Sequence, residues 1–114
     1  MSSLSTAGPT DVSIIPIPNA LAVSVSRITV ALAITPQQLP SLIIPAGLKL
    51  TIRAAADNGT KKIYIASSSA DVLTSATRLV LAKGDVVSLQ IVNADVLWVG
   101  ASANNADIEL ITEL

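Results

Sequence analysis

The sequence predicts an all-β protein: an antiparallel β-sandwich or jelly-roll-like domain of about eight strands, preceded by an extended N-terminal arm. Three observations predict it. Apolar and polar residues alternate with period two along several short segments, which is typical of half-buried strands. Gly, Asn, Asp and Pro separate these segments at short intervals. No segment offers a convincing helix, and 114 residues favour one domain.

Residues 1–19 are predicted to form the arm, and residues 20–114 the β-domain. Pro16 and Pro18 hold their neighbours in extended geometry and remove two backbone donors, so a helix cannot form there. Three aliphatic residues of the arm are candidate interface residues: Ile14, Ile15 and Ile17. They are poorly placed in water, and docking on a neighbouring subunit would cover them. The alternative is a frayed terminus.

The first predicted strand is the long run from Leu21 to Thr35, in which the apolar positions change phase halfway. A bulge at Ser26-Arg27 would keep both sets facing the core, as would two shorter strands meeting at a corner. A short strand interrupted by Pro40 is predicted over residues 39–44. The turn Pro45-Ala46-Gly47 follows it.

Residues 48–54 show the clearest two-faced alternation and predict a strand. The pair Asn58-Gly59 is a strong hairpin signal because both residues accept positive φ, so residues 61–66 are predicted as the return strand. Residues 67–77 are predicted as a polar loop with room for a short helical turn.

Residues 78–102 contain three apolar runs separated by the turns Lys83-Gly84-Asp85 and Asn93-Ala94-Asp95. They predict a three-stranded antiparallel meander, whose last strand carries Trp98. Residues 107–112 predict the final strand.

The chain is short of charged residues: 13 % are charged, against roughly 25 % in typical domains. Its net charge of −1 gives no general attraction to nucleic acid or an anionic membrane, so neither is expected as a partner. The apolar runs are too short for a spanning helix. The composition therefore favours a soluble protein that hides part of its surface against other chains.

No enzymatic chemistry is expected. The sequence has no cysteine and no histidine, which removes the thiolate nucleophile and the commonest general base. The carboxylates are scattered and lie mostly beside turns, although a long-range pair such as Asp95 with Asp107 stays open. Turn chemistry also accounts for the oxygen-rich segments at Asp57-Asn58 and 104–107, so we predict no catalytic residues, no metal site and no cofactor.

Four further residues are candidate interface residues: Arg53, Lys61, Lys62 and Trp98. The three cations flank the predicted hairpin and form either a solvated face or a patch for an acidic partner. Trp98 and Tyr64 are the only aromatic residues, too few for a base-stacking or sugar-stacking platform. Packing in the core or at a subunit interface is expected for both, with Trp98 as the interface anchor.

The order of turns and strands over residues 42–112 resembles small β-rich virion proteins of tailed bacteriophages. The motifs that carry the resemblance are Ile44-Pro45-Ala46-Gly47, Asn58-Gly59, Ile63-Tyr64-Ile65, Leu81 with Gly84 and Val87-Ser88-Leu89, and Leu97-Trp98-Val99. Ala66 stands where glycine is common in that family, and Trp98 where tyrosine is usual.

The resemblance implies a structural role without a reaction: a capsid decoration, or cement, protein on the outer surface of the virion. It implies the major capsid protein and further copies of the chain, as a homotrimer, as partners. Two alternatives stay open. One is a tail, baseplate or head-fibre component of a phage, and the other is an adhesin or carbohydrate-binding β-module.

Overall fold

The computed structural model describes residues 23–113. These residues form eight β-strands, one short α-helix and two 3₁₀ turns, at Ala56–Asn58 and Ala94–Val96. The strands are β1 Val23–Val30, β2 Gln37–Gln38, β3 Leu50–Ala54, β4 Ile63–Ala66, β5 Leu79–Leu81, β6 Val86–Leu89, β7 Trp98–Ala101 and β8 Ala106–Glu113, and helix α1 is Ser69–Val72.

The strands form two four-stranded antiparallel sheets. Sheet one has the order β1-β8-β3-β6, and sheet two has the order β2-β7-β4-β5. Every connection between consecutive strands crosses from one sheet to the other, except the one between β4 and β5. The prediction of an all-β, antiparallel fold of about eight strands is therefore confirmed at this level.

Both sheets contribute to one apolar core. Strand β8 alternates strictly between buried and half-buried residues, and β3 does the same. The buried positions of sheet one include Leu50, Ile52, Ala54, Ile108 and Leu110, and those of sheet two include Ile63, Ile65, Leu81, Val99 and Ala101. Each large aliphatic side chain buried in this way contributes roughly 1.5–3 kcal/mol. The period-two pattern therefore fixes which face of each strand turns inward.

The predicted meander over residues 78–102 is wrong in its pairing, although its three strands exist. Strand β6 pairs with β3 in sheet one, whereas β5 and β7 pair on either side of β4 in sheet two. Alternation and turns mark where strands begin and end, but they do not say which sheet the next strand joins.

The predicted hairpin at Asn58-Gly59 is also wrong, since β3 and β4 belong to different sheets. Gly59 has the expected positive φ of 65°, but Asn58 is buried in a 3₁₀ turn. Its side chain bonds the backbone of Asp107: Nδ2 donates to the carbonyl oxygen at 2.8 Å, and Oδ1 accepts from the amide at 2.8 Å. The asparagine thus fastens a crossover between the sheets.

Strand β1 has no bulge at Ser26-Arg27, because its register with β8 is continuous from Val23 opposite Glu113 to Val30 opposite Ala106. Val23 and Val25 do not face the core but lie on the outer face, exposed. The strand ends at Val30, and the chain turns away through Ile34, which has a φ of 57°.

The strand predicted over residues 39–44 is replaced by the two-residue β2 at Gln37–Gln38 and a single bridge between Ile43 and Asn93. Pro45–Gly47 forms the predicted turn, with Leu48 N donating to the Pro45 carbonyl at 3.0 Å. The predicted helical turn is α1, whose first turn is capped by the Ser68 hydroxyl accepting from the Asp71 amide at 3.2 Å.

The predicted arm, residues 1–19, with Ile14, Ile15 and Ile17, lies outside the described residues. Within residues 23–113, no helix has the length and apolar character needed to cross a membrane.

Candidate interaction surfaces

The outer face of sheet one carries a network of ion pairs centred on Arg27, which we call the Arg27 network. The Arg27 Nη2 atom lies 2.7 Å from Asp57 Oδ1 and 2.8 Å from Asp107 Oδ2. Its Nη1 atom lies 3.5 Å from Glu109 Oε2, and Glu109 also pairs with Arg53 of β3. The network joins three adjacent strands and the crossover turn, so every charge in it has an opposite charge beside it.

The contacts of this network shift the pKa values of both Asp107 and Arg27. The hydrogen bond from Thr29 Oγ1, at 2.6 Å, and those from Arg27 hold the pKa of Asp107 below its ordinary value. The same contacts with Asp107 and Asp57 raise the pKa of Arg27. Because the Arg27 side chain is 44 % exposed, its ion pairs with these carboxylates stabilise the fold only slightly. Each charged group of the network is therefore paired with an opposite charge of the same chain.

The first half of β1 is the most open strand segment among the described residues. Val23 and Val25 are each 63 % exposed on the outer face, and Ser24 and Ser26, on the opposite face, are exposed as well. Beyond β1 no further strand of residues 23–113 pairs with it, so one backbone edge of this segment is also free. We call Val23–Arg27 the open edge.

The four predicted interface residues within the described range do not form one surface. Arg53 lies on the outer face of sheet one within the Arg27 network. Lys61 and Lys62 precede β4 of sheet two, where Lys61 Nζ donates to the Asn105 carbonyl at 3.0 Å and Lys62 is exposed. The hairpin that would have gathered the three cations does not exist. Trp98 lies half-buried in β7, with Gln38 and Ala66 as its neighbours on adjacent strands.

A second site, which sequence reasoning missed, lies on the outer face of sheet two. The Arg78 guanidinium stacks on Tyr64, with Cζ 3.6 Å from the ring centroid, beside a cavity of about 250 Å³. We call this cavity the Arg78 cleft. The sequence holds no signal for it, because strand pairing and α1 bring its residues together from four separate segments.

Among residues 23–113, no group of three or more acidic residues is placed to hold a metal ion. The carboxylates that do converge, Asp57, Asp107 and Glu109, converge on Arg27. Asp95, which the sequence left open as a partner of Asp107, instead lies in the second 3₁₀ turn, where its carbonyl accepts from Gln38 Nε2 at 2.7 Å.

Comparison with known proteins identifies a fold but no family. No family model matches the chain, and no curated protein matches it. Two structures of the metallopeptidase IMPa from Pseudomonas aeruginosa, one in complex with an O-glycopeptide, are similar to it at 14 % identity, with TM-scores of 0.52 and 0.50. They cover 85 % of this chain, but the chain spans only 13 % of their length.

A structure of the disulfide-linked pili formed by Bacillus endospore appendages gives a TM-score of 0.38 at 13 % identity, covering 90 % of this chain and 97 % of that one. This score is too low to support a shared fold. The similarity to IMPa concerns the fold of a β-domain alone.

Proposed function

We propose that this chain is a non-catalytic structural protein of a virion, a capsid decoration protein that binds the outer shell and stabilises contacts between subunits of the major capsid protein. Its two sheets form a jelly-roll β-sandwich, residues 1–19 act as an extended arm, and the functional unit is a homotrimer. The placement on a bacteriophage capsid rests on the resemblance of residues 42–112 to small virion proteins.

The observation that carries the adhesive role is the open edge of β1. An exposed strand edge is a template for pairing with another chain, and proteins usually protect it with proline, lysine, a bulge or a very short strand. Strand β1 is eight residues long and has none of these devices. Its one charge, on Arg27, is engaged by Asp57 and Asp107. An edge of this kind is suited to strand addition by a partner.

The strand orders support the jelly-roll assignment, because β1-β8-β3-β6 and β2-β7-β4-β5 with crossing connections are what two interlocked Greek keys produce. Jelly rolls occur both in viral capsids and in lectins, so the fold is compatible with the proposal without selecting it.

The test is co-sedimentation of the purified chain with capsids that lack it, comparing Val25→Lys with the matched variant Val86→Lys. Both valines are exposed on the outer face of sheet one, but Val25 lies on the open edge and Val86 on the opposite edge strand, β6. We expect wild type and Val86→Lys to pellet with the shells. Val25→Lys should lose about tenfold or more in affinity, because a lysine on the edge opposes strand pairing.

Equal binding of the two lysine variants would remove the open edge from the interface. Wild-type chain that stays in the supernatant at every concentration would overturn the capsid proposal itself. Removal of residues 1–19 should leave the circular dichroism spectrum of the β-domain unchanged and weaken shell binding, as expected of a docking arm.

The two alternatives predict other results. A tail, baseplate or head-fibre protein would label the tail in immunogold images of the virion, and not the shell. A carbohydrate-binding module would bind immobilised glycans. The IMPa structure with an O-glycopeptide does not favour this reading, because the chain resembles 13 % of that protein at 14 % identity.

A further inference from the structure

The Arg78 cleft lies on the outer face of sheet two, between α1 and the start of the loop that follows β1. Its floor is Tyr64 of β4 and Gly100 of β7, which are directly paired. A Cβ atom at position 100 would come within 2.7 Å of Val72 Cγ1, so only glycine lets α1 pack this closely on the sheet. The shape of the cleft therefore depends on glycine at position 100.

Arg78 gives the cleft a cation that has no counter-ion among residues 23–113. Its Nη1 donates to the Val72 carbonyl at 3.1 Å, and the Tyr64 ring holds the guanidinium by cation–π stacking. The Nε atom is buried without an acceptor, and no carboxylate of residues 23–113 pairs with this arginine. Because Nε is buried, a carboxylate that enters the cleft would meet the guanidinium at its terminal Nη atoms.

Apart from Tyr64 and Ser102, the other residues that line the cleft are apolar. Leu73 is 49 % exposed and Ile34 is 68 % exposed at its rim. Ile34 also holds a φ of 57°, a left-handed conformation that a β-branched residue rarely adopts and that occurs preferentially at binding sites. The ligand chemistry that fits these walls is a carboxylate flanked by aliphatic side chains.

Building on the function proposed above, we propose that the Arg78 cleft binds the segment Asp11–Ile17 of a second copy of this chain, with the Asp11 carboxylate on Arg78 and isoleucines against Ile34 and Leu73. Asp11 is the only charged side chain among the first 22 residues, and Ile14, Ile15 and Ile17 follow it within six positions. The segment therefore has the charge and the aliphatic groups that the cleft lacks.

The strand geometry favours a second copy over the same one. The cleft lies where β1 ends and β8 begins, since Ile34 N donates to the Ala101 carbonyl and Asn105 N to the Ala31 carbonyl. Val23, which residue 22 precedes, lies opposite Glu113 at the other end of β8. Seven residue steps of roughly 3.3 Å separate the two ends, about 23 Å. A segment from the same chain would have to turn back along the sheet over this distance, which a segment from a second copy need not do.

The test is a charge-swap cycle in the full chain, read out as the self-association constant from sedimentation equilibrium without capsids. Arg78→Asp and Asp11→Arg should each weaken self-association about tenfold or more, and the double variant should recover most of this loss because the pair is restored with reversed signs. Lys83→Asp, which makes the same charge change at an exposed lysine in the turn between β5 and β6, should associate like wild type.

Asp11→Arg leaves residues 23–113 unchanged, so the result does not depend on the folding of Arg78→Asp. A synthetic peptide of residues 11–18 should compete with self-association, and the same peptide carrying Asp11→Asn should compete about tenfold less well. A double variant that shows no recovery would overturn the proposal, and so would a wild-type chain that is monomeric at all concentrations. If Asp11→Arg alters thermal stability equally at every concentration without changing association, the segment binds its own copy, which also overturns it.

This outcome is separable from that of the capsid proposal. Normal self-association with no binding to shells would refute the capsid role alone, whereas shell binding that persists in Arg78→Asp and Asp11→Arg with unchanged self-association would refute the cleft assignment alone.

Discussion

Arg27 lies on the outer face of sheet one and Arg78 on the outer face of sheet two, and the two arginines differ in their counter-ions. Arg27 on sheet one is exposed to water and has three carboxylates within reach. Arg78 is partly buried. Its guanidinium stacks on the Tyr64 ring and donates to the Val72 carbonyl, and no carboxylate of the described residues pairs with it. A charge that is neutralised within the fold stabilises the fold, whereas a half-buried charge with no counter-ion among residues 23–113 indicates a binding site.

The largest effect is expected from Asn58, which fastens the turn of Asp57 to β8 and so holds the Arg27 network together. Asn58→Ala removes the side-chain hydrogen bonds to the carbonyl and the amide of Asp107. We expect the free energy of unfolding to fall by about 2–4 kcal/mol in urea titrations. The control is Asn104→Ala. Asn104 is exposed and accepts one bond from the Ala33 amide, which water can replace, so its loss should stay below about 1 kcal/mol. Equal losses of unfolding free energy in the two variants would mean that the hydrogen bonds of the buried Asn58 amide do not hold this turn to β8.

An intermediate effect is expected on the other face, at Gly100. Gly100→Ala places a methyl group against Val72 and should cost about 1–3 kcal/mol in urea titrations, because the stiff valine cannot yield without moving α1. Val72→Ala removes the obstructing methyl, so the double variant should be less destabilised than the sum of the single variants. Strict additivity would show that α1 does not press on the sheet at this point.

The smallest effect, and the one that tests the Arg27 network directly, is the pH dependence of Asp107. Its pKa is lowered from the ordinary value of 3.8, first by the Thr29 hydroxyl and then by Arg27. The carboxylate therefore stabilises the fold fully above that ordinary value, and this stabilisation is lost as the pH falls through the lower pKa of the folded state. We expect Asp107→Asn to be less stable than wild type near neutral pH and equal to it in acid.

Urea midpoints measured from neutral pH to below the ordinary carboxyl pKa check this expectation. Asp95→Asn makes the same charge change outside the network, and its difference from wild type should vary less with pH. A constant difference between wild type and Asp107→Asn across the range would mean that the contacts with Thr29 and Arg27 do not favour the ionised form.

The sequence predicted elements better than it predicted their partners. The alternation over residues 48–54 and 107–112 identified β3 and β8, and the turn at Pro45–Gly47 formed as predicted. The Asn58-Gly59 pair misled because a hairpin and a crossover both need a tight turn, and only the burial of the Asn58 side chain distinguishes them. The phase change in β1 misled for a related reason: it suggests that Val23 and Val25 face the core, but the continuous register with β8 places both on the outer face of sheet one.

The candidate sites, like the strands, were only partly predictable from the sequence. Arg53, Lys61, Lys62 and Trp98 were chosen from the sequence for charge or size, and the structure separates them. Arg78 does not stand out in the sequence because an arginine before a strand is ordinary, and its lack of a counter-ion among residues 23–113 depends on where the carboxylates of those residues lie in the fold.

What the sequence determined alone was the all-β character, most of the strands and the shortage of charge, because period-two alternation and turn residues act over a few neighbouring positions. The tertiary structure decided which strands pair, which valines face water and which arginine has no counter-ion within the part of the chain that the structure describes. These depend on contacts between residues distant in the chain, such as Arg27 with Asp107 or Tyr64 with Arg78, and no local pattern encodes them.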